Sequence, residues 1–206
     1  EATAGSITLG DAVNSGTLTL GGAAGLTQAT VLTVASDVLS TGVISGSSTL
    51  TKLGIATLTL NGVNTYSGAT TVSTGSLTLG GALSGVTVDV GAGAFLNIIN
   101  SGSLNVATVL GNAGTVNFST AGQTLETLNG GGLLNLAATV LTLNSGVYTG
   151  VIAGSGSLVK SAAGVLELGG ANTFVGGVTL SGGTVLMGND AAFGLGTLTV
   201  GGGLVS

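Results

Sequence analysis

Side chains that could carry out acid–base or metal chemistry are few in this sequence and widely spaced. The chain has two lysines, Lys52 and Lys160, and no cysteine, histidine or arginine. Its seven acidic residues are Glu1, Asp11, Asp37, Asp89, Glu126, Glu167 and Asp190. General acid–base catalysis and glycoside hydrolysis need two carboxyl groups within about 10 Å of each other. Since no two of these acids are close in sequence, we predict no enzymatic activity, no catalytic residue and no cofactor.

Motifs that bind ions, phosphates or nucleic acids are also missing. Calcium would need Gly-Gly-x-Gly-x-Asp repeats or an Asp-rich loop. The runs Gly130–Gly132 and Gly201–Gly203 lack the lysine and the strand-to-helix context of a phosphate loop, so they are interpreted as turns. A net charge of −5 argues against binding to nucleic acids and to anionic membranes. Thr-x-Thr pairs recur as in ice-binding solenoids, but Val159 and Glu167 interrupt the ladder.

Composition indicates a folded, all-β chain. The 206 residues include 41 glycines and no proline, whereas average usage predicts roughly 14 and 10. The chain is 44% hydrophobic and 4% charged, which is the opposite of a disordered sequence. Proline lacks the donor that a β-ladder uses, so a chain without it can pair almost everywhere. No apolar run reaches the roughly 18 residues of a membrane-spanning helix.

Short runs that alternate apolar and polar residues recur along the chain and are bracketed by glycines. This period of two predicts strands with one buried face. The runs begin at Thr17, Val31, Thr57, Ser76, Val140, Val165 and Thr197. We expect Leu58, Leu60, Leu77, Leu79, Leu166 and Leu168 to point inward. Thr57 and Ser76 are 19 positions apart, and about 20 residues form one turn of a β-solenoid.

A longer unit repeats as well, since residues 41–80 match residues 149–188 at a constant offset of 108 without a gap. We therefore predict a single β-solenoid over residues 1–206, with roughly ten coils. The repeat positions that we single out as structural are Lys52, Lys160, Asn64, Asn172, Tyr66, Phe174, Gly68 and Gly176.

This pattern, Gly-x-x-x-Leu-x-Lys followed by Leu-x-Leu-x-Gly-x-Asn-Thr-Tyr/Phe-x-Gly, resembles the autotransporter-associated β-strand repeat of bacterial surface proteins. The segment that begins at Gly188 is similar to the one that often trails such repeats. The resemblance covers about forty residues twice. It implies a right-handed parallel β-helix that is exported to the cell exterior.

The repeat positions have simple structural interpretations. The two asparagines follow glycine-flanked turns, and asparagine tolerates left-handed backbone and bonds neighbouring amides. We expect the aromatic pair to pack inside the coil or at its corner. We expect the two lysines to be exposed, where they would keep one face solvated and discourage lateral strand pairing. Contact of the lysines with a neighbouring subunit or an anionic glycan is the alternative.

The low charge favours a structural function, since a lone soluble domain typically carries about 25% charged residues. We expect an extracellular or cell-surface β-solenoid that assembles head to tail into a filament or layer. Glu1 could be a mature terminus left by removal of an export signal. Ser6–Gly10, Leu198–Val200 and Leu204–Val205 are strand-like and resemble no cap, so copies of the chain are the expected partners.

Two other functions remain open. The chain could be an autotransporter passenger segment that acts as an adhesin or glycan-binding module, with glycans or other cells as partners. More remotely, it could be a β-helix enzyme acting on polysaccharides, if acids from stacked coils met.

Overall fold

A computed structural model describes residues 5–10 and 16–206, which form strands and connecting turns. Glu1 and Asp11 lie outside the described residues. In chain order the first strands are β1 (Gly5–Leu9), β2 (Leu18–Leu20), β3 (Ala24–Leu26), β4 (Thr30–Val34), β5 (Val38–Ser40), β6 (Ile44–Gly46), β7 (Leu50–Leu53), β8 (Thr57–Leu60), β9 (Thr70–Val72), β10 (Ser76–Leu79), β11 (Ala82–Leu83), β12 (Thr87–Val90) and β13 (Phe95–Ile99).

The second half continues with β14 (Ser103–Leu104), β15 (Val109–Asn112), β16 (Thr115–Ser119), β17 (Gly122–Gly130), β18 (Leu133–Asn135), β19 (Val140–Tyr148), β20 (Val151–Ala153), β21 (Ser157–Lys160), β22 (Val165–Leu168), β23 (Val178–Leu180), β24 (Thr184–Met187), β25 (Leu198–Val200) and β26 (Leu204–Val205). The described residues include no helix of the length and apolarity needed to cross a bilayer.

The strands stack on three faces. The first face contains β1, β4, β7, β9, β12, β15, the C-terminal parts of β17 and β19, and β22, β24 and β26. The second face contains β2, β5, β8, β10, β13, β16, β18 and β20. The third face contains β3, β6, β11, β14, the N-terminal parts of β17 and β19, and β21, β23 and β25. On this face Asn64 bridges β6 and β11, and Gln123 joins β14 to β17.

Paired strands are parallel and lie one turn apart in sequence. Thr57 pairs with Ser76 after 19 residues, as the spacing predicts, and Leu50 pairs with Thr70 after 20. The fold is a β-solenoid of about nine turns, which confirms the predicted class and is close to the predicted ten coils. Each face uses only two to five residues of a coil of about 20, and turns of varying length connect one face to the next.

Leucine rows form the core, as the alternation predicts. Leu58 and Leu60 of β8 lie beside Leu77 and Leu79 of β10, and all four are at most 1% exposed. Leu166 and Leu168, the other two predicted inward residues, are equally buried at 2% and 1%. Burying one such side chain contributes about 1.5–3 kcal/mol. Because successive coils from β4 to β24 add buried apolar side chains, the core is continuous along this part of the stack.

The two copies of the long repeat are rotated by one face relative to each other. Leu50 in β7 lies on the first face, whereas its counterpart Leu158 in β21 lies on the third. Likewise, β8 is on the second face and its counterpart β22 is on the first. Along the first face, six steps from strand to strand, each one turn of the solenoid, lead from β7 to β22. Leu158 lies in β21, the strand before β22, so it is one strand short of six full turns from Leu50. The same sequence unit therefore occupies different faces in its two copies.

Candidate functional site

The described carboxylates are dispersed over the solenoid. Asp37, Asp89, Glu126 and Asp190 are exposed, and Glu167 is half-buried. Asp37 accepts a hydrogen bond from the backbone N–H of Thr57 at 2.9 Å, and Glu126 accepts one from the Asn144 amide at 2.7 Å.

Two carboxylates share one outward row, that of the first face. Asp89 and Glu167 are separated there by Gly111, Asn129 and Val147. At about 4.8 Å per strand, four steps place them roughly 19 Å apart. No three potential metal ligands cluster in the described part of the chain. The fold therefore brings none of these described acids into an acid–base pair on this face.

Lys52 lies inside the coil, so the prediction that the lysines are exposed is wrong. The residue is 0% exposed, and its ammonium donates to the carbonyls of Leu53, Gly54 and Thr74 at 3.2, 2.7 and 3.0 Å. Burial lowers the pKa of Lys52 from 10.5 to about 8, and the charge of Asp37 opposes this shift. The lysine thus ties together carbonyls of two successive turns at the corner between the first and second faces.

Lys160 has the same arrangement on a different face. It is 1% exposed, and its ammonium donates to the carbonyls of Ala162 and Gly182. Burial lowers the pKa of Lys160 as well. Alternation explains both positions, because the lysines follow Leu50 and Leu158 by two residues and therefore share their inward phase.

Matching glycines close the turn over each lysine. Gly75 and Gly183 have φ angles of 67° and 74°, a region that favours glycine. A Cβ atom would lie 2.8 Å from the Lys52 Nζ at Gly75, and 2.5 Å from the Lys160 Nζ at Gly183. Lysine and glycine are thus two parts of one corner, which explains why both recur in the repeat.

Asn64 and Asn172 connect coils, and neither has the left-handed backbone expected of a turn residue. Asn64 is fully buried, and its Oδ1 accepts the N–H of Ile44 at 3.0 Å. Its Nδ2 donates to the carbonyl of Gly62 at 2.8 Å. Asn172 accepts the N–H of Ile152 at 2.8 Å. Each asparagine side chain accepts a hydrogen bond from a backbone N–H of the adjacent coil, at a point where the strand pairing is interrupted.

The aromatic and glycine positions of the repeat are internal. Tyr66 and Phe174 are both 0% exposed, which confirms the predicted packing. The Tyr66 hydroxyl lies 2.7 Å from Thr70 Oγ1, and burial raises the pKa of Tyr66 to about 12. A Cβ atom at Gly68 or Gly176 would overlap the backbone of the coil below. These glycines permit close stacking of coils.

Interior polar residues that were not predicted from the sequence include Gln123, Asn112 and Tyr148. Gln123 both accepts from and donates to the backbone of Leu104 at 3.0 Å. Asn112 donates to the Tyr148 hydroxyl, which donates to the Gly132 carbonyl, both at 2.8 Å. The signal that could have revealed Asn112 and Gln123 is alternation, because each lies two positions from a buried leucine in its strand.

Uncharged side chains cover the second face. We call this surface the second-face strip. It consists of two outward rows that run across β10, β13, β16, β18 and β20. One row is Ser76, Phe95, Thr115, Leu133 and Val151; the other is Thr78, Asn97, Asn117, Asn135 and Ala153. All of these side chains are exposed or half-buried.

The described residues form a repetitive parallel β-solenoid. In each copy of the long repeat, a buried lysine and a buried asparagine form hydrogen bonds with the backbone of an adjacent coil. A model of the passenger-associated-transport-repeat matches residues 50–88 and 158–187, the segments that contain the buried lysines and asparagines. These two segments therefore match the repeat that gives the autotransporter-associated family its name.

The chain is also similar to a curated relative. It is 31% identical over 167 residues to the adhesin BmaC autotransporter of Brucella suis biovar 1 (strain 1330). The match covers 76% of this chain but 4% of that protein, so the chain corresponds to a small part of it. No solved structure gives a significant match.

Proposed function

We propose that this chain is a non-catalytic, cell-surface segment of an autotransporter passenger that takes part in attachment to other cells or to glycans. The observation that carries this proposal is the construction of the coil. Its specialised residues, Lys52, Asn64 and their counterparts Lys160 and Asn172, are turned inward to stabilise backbone. What remains outside is a regular array of rows in which threonine, asparagine and serine alternate with exposed apolar side chains.

Support also comes from the named relative, which is an adhesin. A stack held by ladders on three faces keeps side chains at fixed spacings of about 4.8 Å along its axis. Such an array offers many equivalent weak contacts, and multivalent contacts raise avidity without any single strong site. We further propose that residues 1–206 form one continuous solenoid at the cell exterior.

The test is adhesion of beads coated with the purified chain to cultured epithelial cells. We expect more bound beads than with albumin-coated beads. Leu58→Asp supplies the unfolded control, because it places a charge at a position that is 1% exposed. Equal binding of wild-type and albumin beads would refute attachment by this segment.

A second candidate function is end-to-end assembly, in which the coils of one copy stack on those of the next. Leu198, Val200 and Leu204 are 38%, 55% and 60% exposed. Leu198 and Leu204 stack on Val178 and Thr184 of the coil before. A further coil, from the same polypeptide or from a second copy, would cover them and pair with β25 and β26, and end-to-end assembly corresponds to the second case.

Electron microscopy and light scattering of the purified chain test this second function. We expect thin fibres with a repeat of about 4.8 Å along the axis. Leu204→Lys should shorten them, since a charge would enter the junction, whereas Thr142→Lys on an outward row should not. A monomer at every concentration would leave attachment as the single proposed function.

A further inference from the structure

We infer that the second-face strip binds an extended, neutral, β-1,4-linked polysaccharide. This inference deepens the proposed attachment function by naming a ligand class and the residues that contact it. It rests on three features of the strip: an exposed aromatic ring, a fixed row of amides, and the absence of charge.

The first row supplies a mainly apolar track from Phe95 to Val151, interrupted by Thr115. Phe95 is 45% exposed, and it is the one exposed aromatic side chain in the described part of the chain. Leu133 and Val151 continue the row at 41% and 38% exposure. Four strand steps of about 4.8 Å give the row, from Ser76 to Val151, a length of roughly 19 Å. A track of this shape fits the flat C–H face of several consecutive sugar rings.

The second row supplies hydrogen bonds. Asn117 donates to Asn97 Oδ1 at 2.8 Å, and Asn97 donates to the Ser76 hydroxyl at 2.9 Å. This chain of bonds holds both amides in one orientation before a ligand arrives, which reduces the entropy lost on binding. No described group donates to Asn117 Oδ1, so this oxygen is available to a sugar hydroxyl.

The spacing of the rows matches the cross-section of a sugar ribbon. Positions two residues apart on a strand are about 6.6 Å apart and point to the same side. Phe95 and Asn97 have this relation, as do Thr115 and Asn117. A β-1,4-linked chain is a flat ribbon with C–H faces and hydroxyl edges. Its face would lie on the apolar row and one edge along the amides.

Charge selects a neutral ligand. The five strands that build the strip contain no acidic or basic residue. An anionic polysaccharide would therefore find no cation here, and the chain as a whole has net charge −5. Neutral hydroxyl-rich chains lose no ion hydration when they settle on such a surface.

Depletion of the folded chain from solution by insoluble cellulose and by insoluble chitin tests the inference. We expect binding to at least one of the two polymers. Phe95→Ala should weaken it about fivefold or more, as truncation of a central contact residue does, and Asn117→Ala should weaken it less. Val147→Ala, an exposed position on the first face, is the matched control and should bind like wild type. Circular dichroism should show all three variants folded, since these side chains lie outside the core.

Three results would overturn the inference: no binding to either polymer, equal binding by Phe95→Ala, or retention by polygalacturonate instead. Self-association through the strip, seen as a dimer that Phe95→Ala dissociates, would also overturn it. The bead assay separates this failure from failure of the proposed function. If wild-type beads and Phe95→Ala beads adhere equally to cells, attachment stands and the strip is not its site.

Discussion

The buried lysines should make the solenoid more stable at alkaline pH. Folding places the Lys52 ammonium against three backbone carbonyls but removes it from water, and the balance lowers its pKa from 10.5 to about 8. Replacing Lys52 by methionine preserves much of the side-chain volume and removes the titrating group. We therefore expect the pH dependence of stability to differ between wild type and Lys52→Met.

The sign follows from proton linkage. Between pH 8 and 10.5 the folded chain loses the Lys52 proton before the unfolded chain does, so the unfolded state binds more protons and stability rises with pH. The difference between 10.5 and 8 limits the gain to roughly 3 kcal/mol, of which about 2 kcal/mol accrues between pH 7.5 and 9.5. Burial raises the pKa of Tyr66 and Tyr148 to about 12, which lowers stability above pH 10. A maximum near pH 10 should result.

Urea unfolding followed by circular dichroism at pH 7.5, 8.5 and 9.5 measures the effect. Lys52→Met should lose most of the rise, and Lys52→Met/Lys160→Met should lose the remainder, because burial lowers the pKa of Lys160 too. Since the chain has two lysines, the Lys160→Met variant leaves one side-chain Cε resonance whose titration by NMR gives the pKa of Lys52 directly. A resonance that titrates near 10.5, together with flat stability, would refute the burial of the ammonium.

Three further substitutions probe the coil by thermal melting. Leu58→Asp should unfold the protein, because an unpaired carboxylate would be buried at several kcal/mol, while Thr59→Asp on the outward side of the same strand should melt like wild type. Asn172→Ala should lower the free energy of unfolding by about 1–3 kcal/mol, because the buried N–H of Ile152 in the adjacent coil loses its acceptor. An unchanged melting temperature would contradict this role of Asn172. Gly75→Ala should destabilise more than Gly22→Ala, since the first combines a positive φ with overlap and the second has open space.

Much of the fold could be predicted because its signal is local. Alternation assigns each strand an inward and an outward side. A spacing of about 20 residues then places the inward side of one strand beside the inward side of the next. Leu58 and Leu77 illustrate this, since one pattern predicts both their burial and their pairing. Tyr66 and Phe174 were likewise predicted to pack inside.

The lysines were predicted wrongly because residue type was given more weight than phase. Lysine is rarely buried unless paired, yet the alternation that buries Leu50 also turns Lys52 inward. What makes burial tolerable is a set of carbonyls from two turns, and Thr74, one of these acceptors, is 22 residues from Lys52. Asn64 is similar, since its main partner, Ile44, is 20 residues away.

The sequence by itself determined the class of fold, the length of a turn and the composition of the core, because these depend on periodicity within one coil. The tertiary structure decided which coils and faces meet. It rotated the second repeat by one face, placing Lys52 and Lys160 at different corners, because the offset of 108 residues between the copies is eight residues shorter than the six turns that lead from Leu50 to Leu166. It also aligned Phe95 with Leu133, and Asn97 with Asn117, since only stacking brings residues about 20 positions apart into one row.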